Sequence, residues 1–292
     1  MNIYEIVTKR ILEQLEKGVI PWKMPYKISS GIPRNFATGK DYRGVNIFLL
    51  WCQNYESPYW LTCKQAERLK GSIREGETGT PVIYWNLREK DNPETGEVER
   101  MPLLRCYLVF NAMQTEGIAF PEGSKKTFFN PRSACENIVR NMPHKPKIDF
   151  GSSRACYRPK TDTVLMPDKD SFIGTAEYYS TLFHEMSHST GHESRLKRKG
   201  ITDLMPFGSK QYSKEELIAE MGAAFICGHV GIGDATLQNQ AAYIAAWRKK
   251  LEEDSTILLQ AAAQGQRAAD YILGRTPEHD RTSHKLDKGG QS

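Results

Sequence analysis

Apolar residues recur at helical spacing near both ends of this chain and alternate with polar ones in its middle. Ile3, Ile6, Val7, Ile11, Leu12 and Leu15 fall on one face of a helix that Gly18 closes. A long loop from Val19 to Tyr42 is followed by a predicted helix over Val45 to Tyr55, a short extended run Tyr59-Trp60-Leu61-Thr62 and a short helix from Lys64 to Lys70. Thr80 to Trp85 reads as a strand that pairs with Leu103 to Phe110 across the polar hairpin Glu89 to Arg100, and Asn111 to Gly117 closes that sheet. Pro, Gly, Ser and Lys collect between Pro121 and Pro131 and mark a domain boundary. Beyond it come a helix from Ser133 to Asn141 and two short strands, Arg154 to Tyr157 and Thr163 to Met166, around a turn. A helix from Thr175 to Gly191 follows, with Thr175 at its start and Gly191 at its end, and Ala-rich helices cover Tyr212 to Gly228 and Gln238 to Leu273. The expected class is α+β, with a mixed domain over 1–125, a mostly helical one over 126–278 and a disordered polar tail over 279–292.

The helix from Thr175 to Gly191 carries His184-Glu185-Met186-Ser187-His188. Residues four apart share a helix face, so His184 and His188 offer two imidazoles to one metal ion while Glu185 stands beside it as a general base. This is the HExxH pattern of zinc hydrolases, in which zinc keeps a position for water and lowers its pKa to about 7. Tyr178, Leu182, Phe183 and Met186 form the apolar stripe that buries the helix; a plain core helix would explain the stripe but not the polar triplet. A third ligand is required. Ser194 occupies the final position of the metzincin spacing and does not serve, and His192 directly follows Gly191 at the helix end. Ser213-Lys-Glu-Glu216-Leu-Ile-Ala-Glu220 supplies two carboxylates one turn apart. This stretch resembles several gluzincins, which favours Glu216 as ligand and Glu220 in the second shell. If Ser213 and Glu216 instead formed a capping box, Glu220 would become the ligand. Tyr212 and His192 are candidates for stabilising an oxyanion.

Composition adds a bias but excludes several classes. The 292 residues are 39% hydrophobic and 26% charged, with no apolar run approaching the length of a membrane span and a charged amphipathic start in place of a signal peptide, so a cytoplasmic protein is expected. Six cysteines without a CxxC pair argue against a disulfide framework and against a cysteine zinc site. The net charge of +5 lies entirely in residues 1–150, which hold 22 Lys and Arg against 17 Asp and Glu. Basic residues alternate with aromatics in the first loop, where Trp22, Lys23, Arg34, Asn35, Tyr42 and Arg43 form a candidate surface for single-stranded DNA.

Many short patterns in one order resemble the ArdC-type antirestriction proteins. They are Asn35-Phe-Ala-Thr-Gly39, Tyr42-Arg43-Gly44-Val-Asn46, Val109-Phe-Asn111 with Gln114-Thr-Glu-Gly117, Ala155-x-Tyr157, Met166-Pro167, and Tyr179 through Leu196 around the HExxH. The resemblance implies an N-terminal single-stranded DNA-binding domain and a C-terminal zincin-like metallopeptidase domain with one Zn²⁺. It implies a product of a plasmid or other mobile element that shields incoming DNA from restriction, possibly inside a recipient cell. Two functions from different classes stay open: a working peptidase, which may cut a host protein, and a zinc-binding scaffold that cuts nothing.

Overall fold

The computed structural model describes residues 2–23, 31–91, 98–121, 131–203, 209–233 and 240–275. The chain divides into two compact units, one of residues 1–129 with 236–260 and the other of residues 130–235 with 261–292. The polar tail expected over 279–292 and the tip of the hairpin lie outside the described residues.

The first unit opens with α1 (Ile3–Glu16), started by a capping box between Asn2 and Glu5. Its buried stripe is Val7, Thr8, Ile11 and Leu15, close to the spacing read from the sequence. The strands of this unit are β1 (Arg34–Asn35), β2 (Tyr59–Leu61), β3 (Ser72–Ile73), β4 (Thr80–Asp91), β5 (Val98–Asn111) and β6 (Thr115–Glu116), with α2 (Val45–Trp51) and α3 (Cys63–Arg68) between them. They form a four-stranded sheet in the order β1-β2-β5-β4 and a two-stranded one of β3 with β6. The hairpin is longer than the alternation alone indicated, pairing Thr80 with Val109 through to Asp91 with Val98. Leu50, Trp60, Val82 and Val109 make a core cluster against which Tyr42 and Tyr55 pack. The side chain of Asn46 completes the exposed edge of β4: its Nδ2 donates to the Ile83 carbonyl at 2.7 Å and its Oδ1 accepts from the Ile83 N–H at 2.7 Å.

α8 (Gln240–Glu253) belongs to this unit, although its place in the sequence suggested the C-terminal domain. It packs on α1, with an Arg248–Glu16 ion pair at 3.0 Å, and Trp22 is what it closes over. Trp22 is 1% exposed, donates its Nε1–H to the Tyr243 hydroxyl at 2.9 Å, and sits edge-on to Trp247 with centroids 6.1 Å apart. Its ring is therefore a core anchor, and the expectation that Trp22 stacks on a nucleobase is corrected.

The second unit contains α4 (Pro131–Asn141), β7 (Lys147–Phe150), β8 (Cys156–Arg158), β9 (Thr163–Met166), α5 (Thr175–Ser189), α6 (Lys199–Thr202), α7 (Lys210–Val230) and the greater part of α9 (Ile257–Ile272). The sheet order is β7-β9-β8: the expected hairpin of β8 and β9 is present, and β7, too polar to read as a strand, adds in parallel along β9. α5 begins one residue earlier than expected, with Gly174 as N-cap and no side-chain cap, and ends on Thr190. α5, α7 and α9 approach closely because glycines meet at their contact. A Cβ on Gly222 would lie 2.6 Å from Ser187 Oγ, and one on Gly265 would lie 3.0 Å from the Gly222 nitrogen.

Among the described residues no helix is long and apolar enough to cross a membrane. All six cysteines are free, and burial pushes the Cys52 and Cys135 thiols up to about 12, as suits inert packing groups. The burial of Trp22 leads to a direct expectation. Trp22→Ala lowers stability by about 3–5 kcal/mol, measured by urea unfolding, whereas an exposed stacking residue would change it hardly at all.

Candidate metal centre

α5 presents its polar triplet because its apolar stripe, Tyr178, Tyr179, Leu182, Phe183 and Met186, is buried. The remaining face turns His184 and His188 toward α7. Their Nε2 atoms are 3.1 Å apart, and Glu216 meets both: Oε2 is 3.6 Å from His184 Nε2 and Oε1 is 3.5 Å from His188 Nε2. Among the described residues, this is the group of three metal-ligating side chains whose donor atoms all lie within 4.8 Å of one another. Two imidazoles and a carboxylate converging on one point form the donor set of a hydrolytic zinc site. The residues present therefore fit a divalent ion.

Each alternative for the third position is placed elsewhere. α7 starts at Lys210 on the N-cap Ser209, whose hydroxyl accepts the Tyr212 N–H, so Ser213 lies inside the helix and makes no capping box with Glu216. Glu220 is on the same helix, carried about 6 Å further along the axis, and is not a member of the converging group. His192 Nδ1 is 2.8 Å from Ser194 Oγ, in a loop past the end of α5. Tyr212 is at the site: its hydroxyl bonds Glu216, and burial followed by the charges of Glu216 and Glu185 pushes it up to about 12. It remains a neutral donor at any working pH. Glu185 is 8% exposed, and its charge is felt at that same hydroxyl, which puts the general-base candidate beside the converging ligands.

The residue behind His188 is Glu215, which the sequence reading passed over in favour of Glu220. Its carboxylate is 3.5 Å from His188 Nδ1, on the ring edge opposite the metal-facing nitrogen. Arg198, buried, grips Glu215 through Nε at 3.0 Å and Nη2 at 2.6 Å, and also donates to the Ser187 carbonyl at 2.8 Å and the Thr190 hydroxyl at 2.6 Å. One guanidinium thus ties the end of α5 to the start of α7. Gly200 sits against Glu215, where a Cβ would lie 3.1 Å from its side chain. Nearby, the side chain of Arg195 joins the Ser189 and His144 carbonyls to Asp162 on the β8–β9 turn, holding the hairpin beside the helix.

The candidate DNA residues of the first unit are mostly engaged in structure. Arg34 pairs with Asp41 at 2.6 Å. Asn35 donates to Gln65 at 3.1 Å and to the Tyr42 hydroxyl at 3.3 Å, while Tyr42 packs on the core. Lys23 lies 5.1 Å over the Tyr243 ring, and Arg43 is exposed just before α2.

Two family models match this chain: the N-terminal domain of anti-restriction factor ArdC over residues 1–110, and a zincin-like metallopeptidase over residues 133–264. The crystal structure of the antirestriction ArdC protein from the R388 plasmid in its metal-free form is 33% identical, with a TM-score of 0.76 over 93% of this chain and 97% of that one. The Mn(II)-bound form is 31% identical, with a TM-score of 0.73 over 98% and 100%. The chain belongs to the ArdC family of antirestriction proteins. A further relative, the uncharacterized protein y4eC of Sinorhizobium fredii (strain NBRC 101917 / NGR234), is 31% identical over 96% of this chain and 94% of its own length. An Escherichia coli protein named DNA primase TraC is 37% identical over 92% of this chain, which spans only 27% of that protein's length.

In this ArdC-family chain the ligands are strongly coupled to protons when no metal is present. Burial lowers the pKa of His188, but Glu215 and Glu216 outweigh it and raise the imidazole to about 10 from its ordinary 6.5. Burial opposes the ionisation of Glu216 and Glu215, but the histidines and Arg198 win and hold both carboxyls below their ordinary 4.5. The carboxylate contribution to stability is therefore present above about 4.5 and lost as pH falls through the depressed values; that of His188 is complete below 6.5 and lost as pH rises toward 10. Metal must displace the His188 proton, so affinity rises with pH through neutrality, by about tenfold per unit. Titration calorimetry of Zn²⁺ into the metal-free protein should show that slope with release of about one proton, and Glu215→Gln should bind 10- to 100-fold more weakly, on the order expected for a lost partner of a ligand histidine.

Proposed function

We propose that this ArdC-family antirestriction protein binds single-stranded DNA through its N-terminal unit and holds one Zn²⁺ in its zincin-like unit for peptide hydrolysis. The observation that carries the catalytic half is the convergence of His184, His188 and Glu216 with Glu185 and Tyr212 beside them. When bound, the ion supplies a Lewis acid that activates water near neutral pH. Glu185 then takes the proton at its carboxylate and passes it to the leaving amine. Tyr212 keeps its O–H as a donor for negative charge developing on the carbonyl oxygen, and Glu216 orients that hydroxyl. β8 pairs with β9 immediately before α5, where an extended peptide could align by backbone hydrogen bonds.

The choice of a divalent ion is supported by the ArdC protein of R388, which has been crystallised both metal-free and with Mn(II). Zinc is the ion favoured by two imidazoles and one carboxylate in tetrahedral sites. A metal that the fold can do without is a poor structural staple, which favours a chemical role over the scaffold reading. The reading of DNA shielding in the cytoplasm follows the family membership and the basic bias of residues 1–150.

Glu185→Gln separates the peptidase from the scaffold. The peptidase reading predicts that digestion of labelled casein falls by about 10²–10⁴-fold while zinc content is unchanged. Equal digestion by both proteins would contradict the role of Glu185. Wild type that digests nothing, with a variant that still protects unmodified plasmid DNA entering a restricting host, would favour the scaffold.

A further inference from the structure

The β4–β5 hairpin carries a surface that the core does not explain. Residues paired across an antiparallel ladder share a face, so Thr80 with Val109, Val82 with Tyr107, and Tyr84 with Arg105 line one side of the sheet. That side is buried where it begins: Thr80, Val82 and Val109 are inside, and Val82 and Val109 join Leu50 and Trp60 in the core. Two residues further along, the same side is open. Tyr84 is 40% and Tyr107 41% exposed, their rings packed edge to face with centroids 6.1 Å apart, and Arg105 is exposed directly across from Tyr84. Asn46 clamps Ile83 immediately before Tyr84, which ties this patch to α2 and to the exposed Arg43 three residues earlier in the chain.

We propose that this face, with Tyr84 and Tyr107 as stacking rings and Arg105 as phosphate partner, is where single-stranded DNA lies on the N-terminal unit. The inference deepens the DNA-binding reading above and rests on it. Two exposed rings beside a guanidinium on a strand pair fit a nucleic-acid strand, because π faces stack on any base and a planar cation pairs with phosphate. A rigid ladder holds the rings in place, so little order is lost on binding. The site also replaces the one that the first loop suggested: Trp22 is buried, Tyr42 packs on the core, and Arg34 is paired with Asp41. The patch was not legible in the sequence, since alternation predicts which residues share a face but not where the covering helix stops.

Fluorescence anisotropy of a labelled thymidine 20-mer, read over a range of salt, tests this on the full chain. Tyr84→Ala/Tyr107→Ala should weaken binding at least tenfold, Tyr84→Phe/Tyr107→Phe should retain it because the π faces remain, and Arg105→Gln should lower the salt slope by about one. Thermal melting of each variant accompanies the titration. Should the alanine pair melt early, the phenylalanine pair and Arg105→Gln still decide: an unchanged salt slope with Arg105→Gln and loss of binding with the phenylalanine pair would overturn the proposal. Wild-type affinity in a well-folded alanine pair would overturn it too, leaving the DNA reading standing. Wild type that fails to bind the 20-mer would bring down the DNA reading itself.

Discussion

The buried ion pair of Arg198 with Glu215 sets the relation between α5 and α7 on which the candidate centre depends. Two of its ligands come from one helix and one from another, so their convergence is only as precise as the packing of those helices. Close approach is permitted by Gly222 against Ser187 and by Gly265 against Gly222. The register is then fixed by a guanidinium that takes the carbonyl of Ser187 and the hydroxyl of Thr190 on one helix and the carboxylate of Glu215 on the other. A buried pair of this kind adds little net stability over an apolar contact. What it contributes here is position: Glu215 beside His188 Nδ1 leaves Nε2 aimed at Glu216.

Much of the centre was legible in the sequence because helical geometry is local. His184 and His188 share a face by their spacing alone, and Glu185 follows from it. The candidate third ligand lies far along the chain, on a new helix, and the sequence left Glu216 and Glu220 as alternatives. The N-cap at Ser209 removes the capping-box reading of Glu216, a distinction that turns on where the helix starts. Glu215 was missed for a different reason. Its role depends on Arg198, which reaches it from a loop, and nothing in the local pattern marks one of two adjacent glutamates as buried.

In the N-terminal unit the same division holds. α1, α2, α3 and the pairing of β4 with β5 follow from periodicity, whereas β7 in the second unit escaped because Lys147-Ile-Asp-Phe150 has too few apolar residues to read as a strand. Trp22 shows the limit of composition. A tryptophan among basic residues suggested a stacking surface, yet α8, more than 200 residues away, closes over it and makes it a core residue. Long-range packing decides which aromatics remain available to a ligand, and here that leaves Tyr84 and Tyr107.

The measurement that bears most directly on this account is metal content by elemental analysis of the purified protein, wild type beside Glu216→Ala and Glu220→Ala. The geometry predicts one zinc per chain in wild type and in Glu220→Ala, and none in Glu216→Ala. Wild type without metal, or zinc lost with Glu220 and retained without Glu216, would contradict it.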